Sequence, residues 1–418
     1  MASHRDHLIT ELALVSMATT SALTLAVFLV GLGLYLLLWP VPFQPVAFRP
    51  AEPPPLTNQY AVNHRLAGVQ RVGPVGPGPE DIALDAEGRL YTGLNDGRIM
   101  RAGTDGSNPE VFAHTEGRPL GMAFSRTGNL IVADAKKGLL SIEPNGSITV
   151  LAQQADHRPI IFANNLDVGT DGHVYFSDSS IYPLGQFTSD WMDGQPHGRL
   201  LVYDPQTKTA RVLLDGLYLA NGVALGPNES YVLVTETLAY RVTRYWLSGS
   251  RQGQREVFID NLPGFPDNIS FNGRDTFWLA LLWPRTLRFE TLQASPFLRR
   301  ILLRLPTRLV PRPQLKPYGL VLGIDLDGNV VANLQDPSGT HASYVSGVKE
   351  HHGMLFLGTI GEGSIKRLPV PVPQDEDHGA PQAPGPSMVG IPTVSGDARG
   401  RPSRTFPSCA RQPPGPHR

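Results

Sequence analysis

The chain has 418 residues but a single cysteine, Cys409, so no disulfide can form within it. Charged residues are also sparse, at 17%, and 36 Lys and Arg against 37 Asp and Glu leave a formal net charge of -1. A nucleic-acid-binding domain usually shows a basic stripe or a strongly basic balance. We therefore do not expect nucleic acid as a partner, and stability has to come from a buried core.

Glycine and proline, in contrast, are abundant. The chain contains 43 Gly and 39 Pro, about a fifth of its residues. Both residue types destabilise the interior of a helix, so the composition favours many short strands joined by turns. At this length, one large all-β domain is as compatible with the chain as two average domains.

An apolar run without a charged residue lies near the N-terminus, from Ala13 to Leu38. It is long enough to span a bilayer. A cleaved signal peptide has a shorter apolar segment and a small-residue cleavage site, whereas this run ends in an aromatic belt of Tyr35 and Trp39. We predict a transmembrane signal anchor over residues 13–39, with a cleaved signal or a buried helix as alternatives.

The segments outside this run are short or rich in proline. Residues 1–12 are predicted to be an N-terminal tail, and the Pro-rich residues 40–60 a semi-rigid spacer that lifts the globular part off the membrane. Residues 372–418 are rich in Pro, Gly, Ser and charge, which predicts a disordered tail. The globular domain is thereby confined to residues 61–371.

A repeat emerges within residues 61–371 when the chain is aligned on its turn residues. Each copy has two apolar alternations around a turn rich in Gly, Asp or Asn, the pattern of a β-hairpin. Further strand-like runs follow, so each copy holds about four strands, as propeller blades do. We predict an all-β, six-bladed β-propeller in which a strand near Gly68 completes the last blade and removes an open sheet edge. The copies read EDIALDAEGRLYTGL from Glu80, LGMAFSRTGNLIVAD from Leu120, NNLDVGTDGHVYFSD from Asn164, NGVALGPNESYVLVTE from Asn221, DNISFNGRDTFWLAL from Asp267 and, most faintly, VSGVKEHHGMLFLGT from Val345.

Residues 285–318 do not fit the repeat and are predicted to be an insertion in the fifth blade. Residues 296–310 within it are amphipathic, and are either a short helix packed on the propeller top or a substrate lid that contacts an anionic membrane. The apolar residues that can share one helix face are Leu298, Ile301, Leu302 and Leu305. The arginines expected largely off that face are Arg299, Arg300, Arg304 and Arg308.

The residue that opens the first strand of each blade looks into the central tunnel at one level. Four of the six copies carry a carboxylate or a carboxamide there, and a further carboxamide follows the fourth. Calcium takes roughly six to eight oxygen ligands of these kinds, whereas zinc or copper would favour His or Cys. Each residue alone could be a turn former, but their common phase predicts one Ca²⁺ ion on the axis. The predicted ligands are Glu80, Asn164, Asn221, Asp267 and Asn268.

The chain contains three Asn-X-Ser sequences, which are formal glycosylation acceptors. Asn268 faces the tunnel and is expected to stay unmodified. Asn145 and Asn228 lie in turns between strands and are the candidate exposed acceptors.

Six motifs lie in order between Gly78 and Pro369: GPEDIA from Gly78, RPLGMAF from Arg118, NNLDV from Asn164, ANGVAL from Ala220, LPGFPDNI from Leu262 and HHGMLFLGT from His351. Together they resemble the strictosidine synthase-like propellers. Related calcium propellers are the paraoxonases, regucalcin/gluconolactonase and diisopropyl fluorophosphatase, and the resemblance places their axial ligands on the five residues named above. Because a similar member of the family also has one N-terminal anchor, the resemblance implies a single-pass membrane protein with a cytoplasmic N-terminus and the propeller on the extracytoplasmic or lumenal side.

The chain also departs from these relatives. Where the resemblance implies the paraoxonase histidine pair, this sequence has Leu120 and Asp134. The catalytic glutamate of the plant alkaloid synthases has no certain counterpart, although Glu350 lies in the corresponding blade. A strictosidine synthase-type condensation is therefore the least expected activity.

The expected function is calcium-dependent hydrolysis of a small-molecule ester or lactone, similar to an arylesterase or lactonase. Calcium would polarise the carbonyl group while Asp267 serves as base or nucleophile. The alternative is a non-catalytic propeller whose calcium is structural and whose top face or insertion binds a protein or lipid partner. Candidates for a pocket rim are Trp283, Tyr318, His351 and His352.

Overall fold

The computed structural model describes residues 2–73, 75–306, 310 and 316–371, so the predicted tail lies outside the described residues. The core is a six-bladed β-propeller, as predicted, built from six four-stranded antiparallel sheets. The ring closes where β1 (Gln70–Val72) pairs with the last strand, β26 (Ile365–Pro369), with Gln70 opposite Arg367. The strand predicted near Gly68 thus completes the sixth blade.

The other strands follow the chain in order, and from blade one to blade six the first strand of each blade contacts the first strand of the next. Blade one has β2 (Ala83–Leu84), β3 (Leu90–Gly93), β4 (Arg98–Ala102) and β5 (Glu110–His114). Blade two has β6 (Pro119–Phe124), β7 (Leu130–Asp134), β8 (Gly138–Ile142) and β9 (Ile148–Ala152). After a ribbon of β10 (Gln154–Ala155) and β11 (Arg158–Pro159), blade three has β12 (Ala163–Val168), β13 (Val174–Asp178), β14 (Gly198–Asp204) and β15 (Thr209–Leu217). Blade four has β16 (Ala220–Leu225), β17 (Tyr231–Glu236), β18 (Arg241–Trp246) and β19 (Arg255–Ile259). Blade five has β20 (Gly264–Phe271), β21 (Phe277–Pro284), β22 (Gly319–Ile324) and β23 (Val330–Asp336), and blade six begins with β24 (Val345–His351) and β25 (Met354–Thr359).

The strand register defines two faces of the propeller. The first residue of β12 pairs with the last of β13, Ala163 with Asp178, and Gly264 pairs likewise with Pro284. The loops between second and third strands therefore lie on the face where the first strands begin, which we call the mouth face. The turns between first and second strands lie on the opposite face.

Three short helices lie in the loops of the mouth face. Helix α2 (Phe187–Asp193) connects β13 to β14, and α3 (Leu287–Gln293) and α4 (Pro296–Arg304) lie between β21 and β22. The insertion of the fifth blade is thus partly helical, and its residues 307–309 and 311–315 lie outside the described part of the chain.

The first strands of neighbouring blades approach one another closely. A Cβ atom on Gly222 of β16 would lie 2.5 Å from the carbonyl oxygen of Asp267 in β20. A Cβ atom on Gly121 of β6 would lie 2.5 Å from Cα of Asn165 in β12. Because a side chain at either position would collide with backbone, glycine lets the inner strands approach closely enough for their polar ends to converge on the axis.

The N-terminal helix, α1, extends from Ala2 to Leu38, so it also includes the residues predicted to form a tail. Its stretch Ile9–Leu38 is long and apolar enough to cross a membrane, and it is not buried against the propeller. These features are those of a membrane anchor.

Residues 40–60, predicted to lift the propeller off the membrane, pack instead along its mouth face, and we call them the strap. The backbone N–H of Val46 donates to the carbonyl of Asp193 at 2.9 Å, and that of Phe48 to the carbonyl of Gln293 at 3.2 Å. The side chain of Asn261 donates to the carbonyl of Glu52 at 3.0 Å. The strap therefore contacts the propeller through polar groups of α2, α3 and the loop after β19.

Candidate functional site

The five predicted ligands lie where the first strands begin, at the mouth end of the tunnel. All five are buried, with exposed fractions of 2% to 8%. Two of the side chains are carboxylates and three are carboxamides. They are Glu80 of blade one, Asn164 of blade three, Asn221 of blade four, and Asp267 and Asn268 of blade five.

The carboxamides present oxygens that have no hydrogen-bond donor within the described structure. These are Oδ1 of Asn164, Asn221 and Asn268, and Nδ2 of Asn268 also has no partner. Nine in ten or more buried polar groups in proteins have a partner. Three orphaned oxygens beside two carboxylates therefore indicate a site for an electropositive ligand.

Two hydroxyl groups orient the side-chain amides of Asn164 and Asn221. Asn164 Nδ2 donates to Ser179 Oγ at 2.9 Å, and Ser179 Oγ donates to the carbonyl of Ala220 at 2.6 Å, immediately before Asn221. Blade four repeats the arrangement with Thr237, whose Oγ1 accepts from Asn221 Nδ2 at 3.2 Å and donates to the carbonyl of Pro266 at 2.7 Å. Each hydroxyl thus holds an amide nitrogen away from the axis, leaves its oxygen free, and ties one blade to the next.

The carboxylates have unequal surroundings. Glu80 Oε2 accepts a hydrogen bond from Arg118 Nη2 at 2.8 Å. Burial raises the pKa of Glu80, while the Arg118 guanidinium opposes that change. Burial and then the Glu80 carboxylate raise the pKa of Asp267 well above its ordinary value. When both acids are ionised, one guanidinium leaves a net negative charge that a bound cation would neutralise.

A second polar layer farther along the tunnel provides a comparison. Asp81 Oδ2 accepts from Asn165 Nδ2 at 3.1 Å and from the backbone N–H of Met122 at 3.2 Å. Asn165 Oδ1 accepts from the backbone N–H of Val223 at 2.8 Å. Burial raises the pKa of Asp81, with Lys349 among the groups that oppose it. Because this layer meets its hydrogen-bonding needs within the protein, the orphaned oxygens are a feature of the mouth ring.

The composition of the ring fits calcium. The described part of the chain contains no group of three or more His, Cys, Asp or Glu side chains able to hold a metal ion. The ring differs from such groups because most of its donors are amide oxygens, which calcium accepts together with carboxylates and water. The orphaned oxygens show that the residues present fit this ion.

Several residues of the site are not among those predicted from the sequence. Arg118 belongs to the RPLGMAF motif, in which the repeat places Leu120 at the tunnel. The repeat does not show that the side chain of Arg118, two residues earlier, is long enough to reach Glu80. Ser179 and Thr237 could have been found, because a hydroxyl residue follows the second apolar alternation in both YFSDS and VLVTET.

Three expected residues lie away from the site. His351 ends β24 and His352 lies in the turn that follows, so both are on the opposite face and cannot form a rim of the mouth. Glu350 pairs there with Arg274 and accepts from Trp278 Nε1 at 2.7 Å. The rim prediction for His351 and His352 is wrong because the first residue of β24 lies at the mouth, whereas its last residues lie at the opposite end of the tunnel.

The two other rim candidates lie on the mouth face. Trp283 is buried near the end of β21. The hydroxyl of Tyr318, just before β22, donates to Gln335 Oε1 at 2.6 Å. Both therefore border the insertion, and Tyr318 is held by the adjacent strand.

A second acidic cluster lies on the mouth face around α2. Ser180 Oγ donates to Asp190 Oδ1 at 2.6 Å. His197 Nε2 lies 2.6 Å from Asp193 Oδ2, which also accepts from the hydroxyl of Tyr182 at 3.1 Å. Burial raises the pKa of Asp190 to about 6.

Asp190→Asn is expected to remove a pH dependence of stability. The folded-state pKa of Asp190, about 6, lies above its ordinary value of 3.8. The folded protein therefore binds this proton more tightly than the unfolded chain, and the free energy of unfolding falls as the pH rises from about 4 to about 6. At pH 7 the variant should be more stable than the wild type by up to roughly 3 kcal/mol. Melting temperatures of the full chain between pH 4 and 7.5 would test this, with exposed Asp260→Asn as control. Parallel profiles for the wild type and Asp190→Asn would contradict the prediction.

Comparison with known proteins identifies the family. Residues 164–250 match the family model of strictosidine synthase, and residues 58–102 match that of the strictosidine synthase-like N-terminal region. The Arabidopsis thaliana protein strictosidine synthase-like 6 is 38% identical over 327 residues, which cover 76% of this chain and 85% of the relative. This chain belongs to the strictosidine synthase-like family. The Bos taurus adipocyte plasma membrane-associated protein is also similar, with 34% identity over 358 residues that cover 80% of this chain and 86% of the relative.

The fold of this strictosidine synthase-like chain is also similar to those of other propellers of known structure. A gluconolactonase of Xanthomonas campestris has a TM-score of 0.54 and 17% identity, covering 80% of this chain and 99% of its own. The calcium-binding protein regucalcin of Agrobacterium tumefaciens has a TM-score of 0.51 and 15% identity, covering 71% of this chain and 90% of its own. At these identities the likeness shows a shared fold.

Proposed function

We propose that this protein is a membrane-anchored, calcium-dependent hydrolase of small-molecule esters or lactones, similar to an arylesterase or lactonase. The observation that carries the proposal is the set of three orphaned amide oxygens beside two buried carboxylates at the tunnel mouth. The resemblance to a gluconolactonase supports a lactone as one substrate class, and the resemblance to regucalcin supports calcium as the ion.

The axial residues would have two roles, calcium binding and proton transfer or nucleophilic attack. Glu80, Asn164, Asn221, Asp267 and Asn268 would hold the ion. Bound there, calcium would polarise the substrate carbonyl and stabilise negative charge on its oxygen. Asp267 would act as general base by accepting a proton from the attacking water, or alternatively attack the carbonyl as nucleophile.

The proposed localisation combines α1 with the family resemblance. Helix α1 would anchor the chain with its N-terminus in the cytoplasm, and the propeller would lie on the extracytoplasmic or lumenal side. Asn145 and Asn228 are both exposed in turns on the face opposite the mouth. They would accept glycans on the extracytoplasmic or lumenal side.

A second candidate function is favoured by one observation, the low exposure of the axial donors. With exposed fractions of only 2% to 8%, they form a site that can hold an ion between blades without contacting a substrate. Calcium would then be structural, and the propeller a binding module for a protein or lipid partner.

Turnover by the full-length chain tests the proposed function. In lipid nanodiscs, aryl acetates and lactones should be hydrolysed with calcium, lose turnover on chelation, and regain it when calcium returns. Asp267→Asn should lower kcat by about 10² or more because it removes the base. Exposed Asp260→Asn should retain turnover.

Two results would contradict parts of this proposal. Chelation that lowers the melting temperature when no substrate is hydrolysed would favour the binding module. Full turnover by Asp267→Asn, with calcium binding retained in calorimetry, would refute a catalytic role for Asp267.

A further inference from the structure

The mouth face carries exposed apolar side chains that have no role in the axial site. They lie in the loop before α2, in α3, in α4, and in the loop between β25 and β26, all on one face. Their exposed fractions range from 40% to 73%. We call this set the mouth patch, and it consists of Ile181, Leu184, Leu287, Phe297, Leu298 and Ile360.

Helix α4 is bonded directly to the end of α1. Arg304 Nη1 donates to the carbonyl of Leu36 at 2.9 Å, and its Nε donates to the carbonyl of Trp39. The hydroxyl of Tyr35 donates in return to the carbonyl of Arg304 at 2.8 Å. Tyr and Trp concentrate at the level where a spanning helix meets the lipid headgroups. The C-terminal end of α4 therefore lies at the level where α1 leaves the bilayer.

The strap fixes the rest of the mouth face to the same level. Arg299 of α4 and Arg285, at the start of the insertion, donate to the strap carbonyls of Val46 and Ala51. The ring of Phe48 packs on Tyr218, in the loop between blades three and four, with centroids 4.5 Å apart. These contacts run from blade to blade, so they hold the propeller in one orientation relative to the end of α1.

The charges beside the mouth patch suit a lipid surface. Arg49 of the strap and Arg288 of α3 are exposed there, and the exposed acids on the same face include Glu52 and Asp260. Arginines flanking exposed Leu and Phe side chains are the composition of helices that lie in the membrane interface, with the guanidinium groups at the lipid phosphates.

We infer that the mouth face rests on the same bilayer that α1 enters, with the mouth patch inserted among the lipids and the tunnel opening towards the membrane. The bonds from Arg304 to Leu36 and Trp39 select this bilayer as the occupant of the patch, because they join the patch to the anchor itself. Burial of the patch by lipid removes apolar surface from water, which stabilises the docked orientation.

The orientation also specifies a substrate class, a step that rests on the proposed function. A tunnel that opens towards lipid receives molecules partitioned in the bilayer before molecules dissolved in water. The expected substrates are accordingly apolar, long-chain esters or lactones carried in the membrane.

Fluorescence quenching in the full-length protein tests the docking. With Cys409→Ser as background, Phe297→Cys, Leu287→Cys and Ile360→Cys each introduce one site for a bimane label. Val257→Cys is the matched control, because Val257 is an exposed apolar residue on β19, an outer strand. In phosphatidylcholine vesicles containing doxyl-labelled phosphatidylcholine, the three mouth labels should be quenched several-fold more than the control, since they lie at acyl-chain depth.

The other outcomes would overturn the docking. Mouth labels as accessible to iodide in water as the control label would show a free mouth face. Labels protected from iodide but not quenched by doxyl lipid would show that protein, such as a second copy of this chain, covers the patch.

A second arm addresses the substrate class. Phe297→Asp and Leu287→Asp should lower the ratio of turnover on a vesicle-borne long-chain ester to turnover on a soluble aryl acetate by about tenfold, because each places a charge in the lipid contact. An unchanged ratio would refute membrane delivery. Absence of turnover on both substrates by the wild type would refute the proposed function, while the quenching result would still decide the docking.

Discussion

Replacing Asn268 by leucine should raise the stability of the calcium-free protein and abolish its stabilisation by calcium. Both polar atoms of the Asn268 amide are buried without a partner in the described structure. Leucine has a similar shape and nothing to desolvate, so the calcium-free variant should gain about 1–3 kcal/mol in free energy of unfolding. The wild type should instead gain about 2.7 kcal/mol when free calcium is raised to a hundred times its Kd.

The measurement is the melting temperature of the full chain in a chelator and along a calcium titration. The matched control is Asn165→Leu, because Asn165 is a neighbouring amide of the same 3% exposure whose atoms bond to Asp81 and Val223. That variant should be destabilised, since it leaves those partners unsatisfied. If Asn268→Leu melted lower than the wild type in chelator and still responded to calcium, Asn268 would not be a calcium ligand.

The second large effect is expected from Arg299→Met, which should destabilise the mouth face by roughly 3 kcal/mol or more. Arg299 is fully buried in α4, although its position in the helix predicted an arginine largely off the apolar face. Its guanidinium donates to the carbonyls of Trp191 and Met192 at 3.2 and 3.0 Å, of Gln293 at 2.9 Å, and of Val46 in the strap. Burial lowers the pKa of Arg299, and Asp193 opposes that change.

The cost of Arg299→Met comes from the carbonyl groups of Trp191, Met192 and Val46, which lose this donor, and it exceeds what is gained by removing a buried cation. The carbonyl of Gln293 keeps the N–H of Phe48 as a donor. Chemical denaturation and limited proteolysis of the strap would measure the effect, with exposed Arg288→Met as the control expected to stay within about 0.5 kcal/mol. Equal stability of the two variants would show that the carbonyls find other donors and that Arg299 does not hold the strap.

Much of the fold and part of the site could be predicted because their signals are local and periodic. The apolar alternation that begins with Ile82 and Leu84 is followed by a turn and a second alternation, and this hairpin, repeated in six copies, forms the inner two strands of each blade. Register then fixes the direction of every first strand, so the opening residues Glu80, Asn164, Asn221 and Asp267 lie at one end of the tunnel. The same rule, applied to the far end of β24, would have excluded His351 and His352 as residues of the mouth.

The remaining features depend on contacts between residues far apart in the chain. The amphipathic pattern of residues 296–304 is visible in the sequence, but the acceptors of Arg299 come from α2, α3 and the strap. Three of these four carbonyl groups belong to residues more than a hundred positions away in the chain. The reach of Arg118 to Glu80 likewise depends on how two blades meet. A helical pattern gives the side on which an arginine projects, and only packing decides what it meets there.

The sequence by itself therefore determined the long apolar N-terminal helix, the six blades and the polar ring at the start of the first strands, because each follows from the length and period of hydrophobic runs and from turn position. The tertiary structure decided that three amide oxygens of the ring lack a donor among the described residues, that Arg118 pairs with Glu80, and that the strap lies on the mouth face. These are hydrogen-bonding outcomes between distant segments, and they depend on which groups packing brings together.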